Sequence, residues 1–431
     1  MGEVMMPRRG GGDAYKVGDV LTTARTDLGN KWLLCNGDPI SLKDFPKLTG
    51  MLCTFFGNQY FETEDVWADS AVINCITYAN GYWVAGGTRT SGVSSSAILA
   101  YTTSLNSTWT VKTLWSGVMD GAHSINCITY ENGYWVLGGS AGSKYARIAY
   151  ATTPTGSWAT KDLWNSTSSD YSNTINCITY AGGYWVVGGK YNDRNAQIAY
   201  TTNLSGDWTT KNVWTSESGG SAEINCICYA NGHWVAGGQS YASYKYYASL
   251  SYATGLTGSW ITKNMWSGST YNNFTTAINC ITYSNGFWAA GGLRYDSDTK
   301  GYYGTYAYVK TPSENWIINN LWTSIGENNP SGINSINFID GNWIMGGQFF
   351  GVYARIANAP SLSGTWKMKD LWHSSNTGFS SVNCITYVNE HLVAGGQFEN
   401  NYARIAYPSD DNALLPAISS GESYTYIKAV E

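Results

Sequence analysis

The chain has 431 residues, with 49 Gly, 33 Tyr and 20 Trp but only 13% charged residues, and its net charge of −5 comes without any cluster of Lys or Arg. That length exceeds what one compact core organises and calls for repeats or several domains. The mild acidic balance excludes a phosphate-tracking surface, so no nucleic-acid partner is expected. No stretch reaches the roughly eighteen apolar residues of a membrane span, so membrane insertion is not expected.

Residues 1–14 carry two arginines with no apolar run behind them and read as a flexible tail, not a secretory leader. The next stretch, "YKVGDVLTTARTDLGNKWLLCNGDPISLKDFPKLTGML", precedes any repeat. Its Cys35, followed by Asn36 and Gly37, reads as a packing residue before a turn.

From residue 73 a head motif, "INCITYANGYWVAGG", recurs seven times, starting at 73, 125, 175, 224, 278, 333 and 382, with offsets of 52, 50, 49, 54, 55 and 49. Each unit splits into four strand-like runs: A ("INCITY"), an Asn-Gly type turn, B ("YWVAGG"), a variable connection, C ("ARIAYTT") and, after a uniform turn, D ("WTTKNVW"). Strands apolar on both faces need cover on both sides, which blades packed radially provide. The fold class is therefore all-β, a seven-bladed β-propeller of four-stranded blades. An α-solenoid fails because Gly-Gly ends strand B in every unit and no helical period runs through.

Heads and tails do not match in number at the ends. Six D strands follow heads, ending in Trp115, Trp164, Trp214, Trp266, Trp322 and Trp372, while the seventh head has none and an orphan tail, "QYFETEDVWADS", precedes the first head. Residues 60–67 are thus expected to be strand D of the last blade, with Phe61 and Trp67 as the closure residues. The boundaries follow: 1–14 tail, 15–57 a small module completed by 412–431, and 58–411 the propeller.

Recurrence separates structure from chemistry. Asn74 and its six equivalents are read as bonding backbone near the axis, and six cysteines at one repeat position as packing residues instead of bridges. Arg147, Arg355 and Arg404 share one strand-C position and read as structural. The histidines His123, His233, His373 and His391 lie in different units without metal spacing, and "DSDTKG" at 296–301 lacks the closing Glu of a calcium loop, so no metal, cofactor or catalytic residue is expected.

What differs between units is the face that carries the D-to-A and B-to-C connections, which is the face expected to bind a ligand. The B-to-C runs "KYNDRN", "QSYASYKYY", "LRYDSDTKGYYGTY", "QFFGVY" and "QFENNY" are dense in aromatics, amides and carboxylates, a mixture that suits sugar rings. The unit-specific residues Tyr191, Tyr241, Tyr244, Tyr295, Asp296, Tyr302, Tyr303 and Phe350 are the candidate ligand-binding set.

Two resemblances bear on function. The turn between strands C and D, as in "IAYTTNLSGDWT", resembles the Asp-box turn of sialidase-like propellers, though its Asp position holds other residues and the early Arg-Ile-Pro motif of that family is absent. The run of Gly18, Asp19 and Val20, then Lys31, Trp32, Leu33, Leu34, Cys35, Asn36 and Gly37, then Phe45, Pro46, Lys47 and Leu48, resembles the phage tail-collar module. Asn30 and Lys31 depart from that family's usual residues, and the closing "YTYIK" is similar to the way such tail proteins end.

The resemblance implies a virion tail-fibre or tail-tip protein made in the bacterial host cytoplasm. Its partners would be other tail or baseplate proteins and a host-surface glycan or receptor, and the propeller would be inserted into the collar module. A homo-oligomer is compatible with it, although no heptad encodes a coiled coil. A structural baseplate decoration without receptor binding, and a propeller glycan hydrolase, remain as alternatives.

Overall fold

The computed structural model describes residues 20–23, 32–35, 38–45, 48, 59–118, 121–166, 172–217, 220–268, 276–296, 299–325, 330–375, 378–388, 391–414 and 424–428. Among them there is no α-helix, and the strands form the expected seven four-stranded blades of a β-propeller. In blade one, strands A to D are Ala71–Ala79, Tyr82–Ser91, Ser94–Thr102 and Thr110–Val118. The A–B turn places Asn80 at φ 48° and Gly81 at φ 82°. Both residues tolerate that left-handed region, and a turn of this type matches the twist of the strands it joins.

Blade seven is assembled from both sides of the ring. Its strands A to C are Ser381–Val388, His391–Phe398 and Tyr402–Leu414, and the fourth strand, Gln59–Ala68, pairs with C. The equivalence to the other D strands extends to side chains. Trp67, 6% exposed, donates from Nε1 to Thr88 O of blade one at 3.2 Å. Trp115 does the same to Ser140 O (2.7 Å), Trp164 to Lys190 O (2.9 Å), Trp214 to Gln239 O (2.9 Å), Trp266 to Leu293 O (3.1 Å) and Trp372 to Gln397 O (2.9 Å), in each case on the following blade. Phe61, on the same closing strand, is half-buried.

The seven asparagines form a closed ring. In every A–B pair the register skips one residue, Asn74 in blade one, so the asparagine sits on a β-bulge and is free to turn its side chain out of the ladder. Each Nδ2 donates to a backbone carbonyl of the next blade: Asn74 to Ile125 O, Asn126 to Ile175 O, Asn176 to Ile224 O, Asn225 to Ile278 O, Asn279 to Ile333 O, Asn334 to Val382 O and Asn383 to Ile73 O. All seven lie between 2.9 and 3.1 Å. The last bond spans 310 residues and joins blade seven to blade one.

The Gly-Gly pair is required by the same bulge. A Cβ on Gly87 would lie 1.9 Å from Val72 O, and one on Gly86 would lie 2.5 Å from the Ile125 side chain of the next blade. Between them packs Cys75, its Sγ 3.6 Å from Gly86 O. The repeat-position thiols are free and buried or nearly so; burial pushes Cys177, Cys280 and Cys384 up to about 12, which makes them inert packing groups.

Residues 63–407 make one compact unit, and the rest of the chain a second. In the second, Val20–Thr23 and Trp32–Leu34 both pair antiparallel with Tyr424–Lys428, with Val20 and Leu33 each opposite Ile427. Ile427 packs with Cys35, Leu42 and Leu48 in a small core, where burial raises the Cys35 thiol. Pro39–Ser41 pairs with residues 412–414. The tail 1–14, the motif residues Gly18, Asp19, Lys31, Asn36, Gly37, Pro46 and Lys47, and residues 415–423 lie outside the described residues.

Candidate functional site

Antiparallel blades put the A–B and C–D turns at one end and the B–C and D–A connections at the other. The second end carries the sequence variation, and its geometry differs from the loop surface that the sequence reading expects. "QSYASYKYY" and "LRYDSDTKGYYGTY" are hairpin for most of their length: Tyr241 pairs with Tyr246, Tyr295 with Tyr302 and Arg294 with Tyr303. The tyrosines fall at cross-strand positions and face one another, with centroids 5.0 Å apart for Tyr241 and Tyr246 and 4.9 Å for Tyr295 and Tyr302. Such pairs contribute about 0.5–1.5 kcal/mol beyond burial, which is enough to extend a two-stranded ribbon.

This placement divides the candidate set by exposure. Tyr295 and Tyr302 are 3% and 7% exposed and pair across the blade-five hairpin. Asp296 pairs with Arg294 at 3.2 Å, and Arg294 lies 5.4 Å over the ring of Tyr303, whose hydroxyl is 3.0 Å from Thr299 Oγ1. Tyr241 is half-buried under Tyr246.

Tyr244 and Phe350 stand at hairpin tips. Tyr244 is 79% exposed with φ 63°, next to Ser243 at φ 49°. Phe350 has φ 54° and packs edge-on against Phe349 at 4.7 Å. A bulky residue in the left-handed region costs on the order of 1–2 kcal/mol and persists only where neighbours over-determine the backbone. Those neighbours are the D–A segments. Glu217 Oε2 accepts from Ser243 N (2.7 Å), Ser216 Oγ from Tyr241 N (2.7 Å) and Ser331 Oγ from Phe350 N (3.1 Å). Each B–C tip is thus braced by the preceding D–A segment. Tyr191, at the end of strand B in blade three, lines an open cleft of about 410 Å³ between blades two and three.

The recurrent arginines have structural partners. Arg147, Arg355 and Arg404 make two-pronged ion pairs with Asp162, Asp370 and Asp65 of strand D, each with Nε to Oδ1 at 2.6 Å. His123 is buried, His233 Nδ1 lies 2.9 Å from Asn231 O, and His373 stacks on Tyr353 at 5.8 Å. Among the described residues no three His, Cys, Asp or Glu side chains gather as metal ligands do.

No protein-family profile and no curated protein sequence matches the chain. Solved structures with a similar path include the Sqt1 protein of Chaetomium thermophilum, 12% identical over 78% of this chain and 83% of that one, with a TM-score of 0.46. The same protein bound to the N-terminus of ribosomal protein L10 gives 13% over 78% and 86%, with a TM-score of 0.44. The sialidase of Trypanosoma rangeli in complex with 2,3-difluorosialic acid gives 9% over 71% and 56%, with a TM-score of 0.43.

Proposed function

We propose that the chain is a bacteriophage tail-fibre or tail-tip protein whose propeller adheres to a host-surface glycan through the B–C and D–A end. The observation that carries this reading is Tyr244, an aromatic side chain left 79% exposed on a backbone held at positive φ. Strain of that kind concentrates where a protein presents a side chain to a ligand. The virion half of the reading rests on the tail-collar resemblance. It is supported by the union of the motif residues Leu33, Cys35, Phe45 and Leu48 with Ile427 in one small core, which brings the two matched ends of the chain together.

The test has two parts. Antibody labelling of intact phage particles should mark the tail, with the hairpin-tip epitopes accessible. The purified protein should adsorb to host cells or their purified wall polysaccharide and lose adsorption when Tyr244 and Phe350 are both changed to Asn. Tail labelling with hidden tips and no adsorption would favour a structural decoration; no label on the tail would end the virion reading.

A further inference from the structure

Blades two, six and seven set an arginine of strand C against an aspartate of strand D, whereas blade three, like blades one, four and five, has no such pair. In blade six, Arg355 lies flat on Phe349, its Cζ 3.9 Å from the ring centroid, while gripping Asp370 and standing beside Tyr353. In blade seven, Arg404 lies on Phe398 at 3.6 Å and grips Asp65. In both blades a guanidinium covers the aromatic ring. Blade three keeps the aromatic residue, Tyr191, in the same register. It replaces the arginine with Gln197, the aspartate with Asn212 and the tyrosine with Asn195. Each replacement is shorter or loses charge, and together they leave the cleft lined by Trp164, Asn165, Tyr191, Gln197, Lys211 and Asn212.

The lining is aromatic on one side, and its charge is spoken for. Lys211 donates to Thr257 O at 3.0 Å and to Gly258 O, in the turn of blade four, and Trp164 Nε1 is taken by Lys190 O. Asn212 reaches Asn195 Oδ1 at 3.4 Å, and Asn195 in turn donates to Tyr191 O at 3.2 Å. Gln197 is 6% exposed, lines the cleft, and its carboxamide has no hydrogen-bond partner among the described residues. An amide open to the cleft can both donate to and accept from a ligand's hydroxyls.

The geometry points to a binding subsite for one neutral pyranose ring, stacked on Tyr191 with its hydroxyls bonded by Gln197, Asn212 and Asn165. The volume lies within the ~300–1,000 Å³ of small-molecule sites, and a C–H face over an aromatic with amides at the edge is the chemistry a sugar needs. A cation would also fit the place an arginine fills elsewhere, but it would find no carboxylate there, since Asn212 stands where Asp370 and Asp65 stand. The subsite is distinct from the exposed tips and does not depend on any role in a virion.

Saturation-transfer NMR and titration followed by tryptophan fluorescence would test it. The probes are the methyl glycosides of glucose, galactose, mannose and N-acetylglucosamine, with arginine ethyl ester as the cationic competitor. The full chain should bind at least one sugar in the millimolar range. Tyr191→Phe should retain binding, and Tyr191→Ala should weaken it about tenfold, as the loss of one stacking contact does. The double variant Gln197→Arg with Asn212→Asp rebuilds the blade-six pair, so it should melt no lower than the parent and bind no sugar. The proposal is overturned if no sugar gives a signal, if the double variant binds as the parent does, or if arginine ethyl ester displaces every sugar and binds more tightly. The Tyr244 and Phe350 variant should leave this binding intact whatever its effect on cell adsorption.

Discussion

Arg404 holds Asp65 by two parallel bonds, Nε to Oδ1 at 2.6 Å and Nη2 to Oδ2 at 2.9 Å, across 339 residues of chain. The pair reproduces Arg147 with Asp162 and Arg355 with Asp370, where the partners are 15 residues apart. Local and closing joins are therefore chemically the same. The ion pair itself is partly solvated, and such pairs contribute about 0–1 kcal/mol. Asp65→Asn is expected to lower stability by no more than that.

Trp67 is a different matter, because it buries a large ring and satisfies Thr88 O on blade one. Trp67→Ala is expected to cost about 3–5 kcal/mol, the usual range for a buried tryptophan. Chemical denaturation of both variants, compared with the parent, checks the contrast. A Trp67 variant as mild as Asp65→Asn would mean that closure is not carried by the indole.

The asparagine ring makes a second prediction. Removing Asn383 leaves Ile73 O without its donor at the blade-seven to blade-one join. Asn383→Ala is expected to destabilise by about 1–3 kcal/mol, the cost of a lost bond that leaves its partner unsatisfied. Hydrogen exchange should show added opening at that join, whereas Asn176→Ala should open blades three and four.

Four D strands carry a lysine that caps the C–D turn of the following blade: Lys112 on Thr155 O at 2.7 Å, Lys161 on Gly206 O, Lys211 on Thr257 O and Lys263 on Ser313 O at 2.6 Å. The closing strand has Glu64 in that register, and burial followed by the neighbouring Asp65 raises its pKa. Glu64→Lys is expected to raise the melting temperature by supplying the missing donor. An unchanged or lower value would show that the blade-one turn does not accept it.

Lys369, the corresponding residue of blade six, is pushed down to about 8 by burial. Between pH 8 and the ordinary lysine range near 10.4 the unfolded chain binds the extra proton, so the contribution of this group to stability rises with pH across that window. Lys369→Met should therefore remove this pH-dependent term, so that the gain in stability from pH 7 to pH 10 is smaller in the variant than in the parent. Thermal melts of variant and parent at the two pH values provide the check.

Tyr244 couples stability to presentation. Asn accepts positive φ more readily than Tyr, so Tyr244→Asn is expected to raise stability by about 0.5–1 kcal/mol. A variant that melts lower would show that the Tyr244 ring is a packing group and not a presented one.

Much of this fold is legible in the chain because the repeat is spelled in side chains that each do one local job. Asn marks the bulge, Gly-Gly the crossing of Val72 O and the seat of Ile125, Asn-Gly the tight turn, and the terminal Trp, in every blade but the fifth, the bond to the next blade. Blade seven shows the same signs with its D strand displaced, which is why counting tails against heads finds it. The variable end is harder to read. Ser243 and Tyr244 form a turn that neither residue type announces, so the paired tyrosines of "QSYASYKYY" read as loop until their partners are seen. The rim cleft had a signal as well: "NAQIA" and "TKNVW" in blade three stand against "YARIA" and "MKDLW" in blade six. Its meaning needs the register that sets Gln197 and Asn212 where an ion pair is expected.

The closing strand also sets a timetable. Strand D of blade seven leaves the ribosome before any complete blade, and its partner Arg404 follows 339 residues later. At roughly 5–20 residues per second that interval is about 17–70 s, during which Trp67 and an unpaired strand edge wait in the nascent chain. Such edges pair with whatever strand they meet. Ring closure is therefore the step at which yield would be lost, and a chaperone or a slowed elongation rate would act on this one strand more than on any blade made in a single pass.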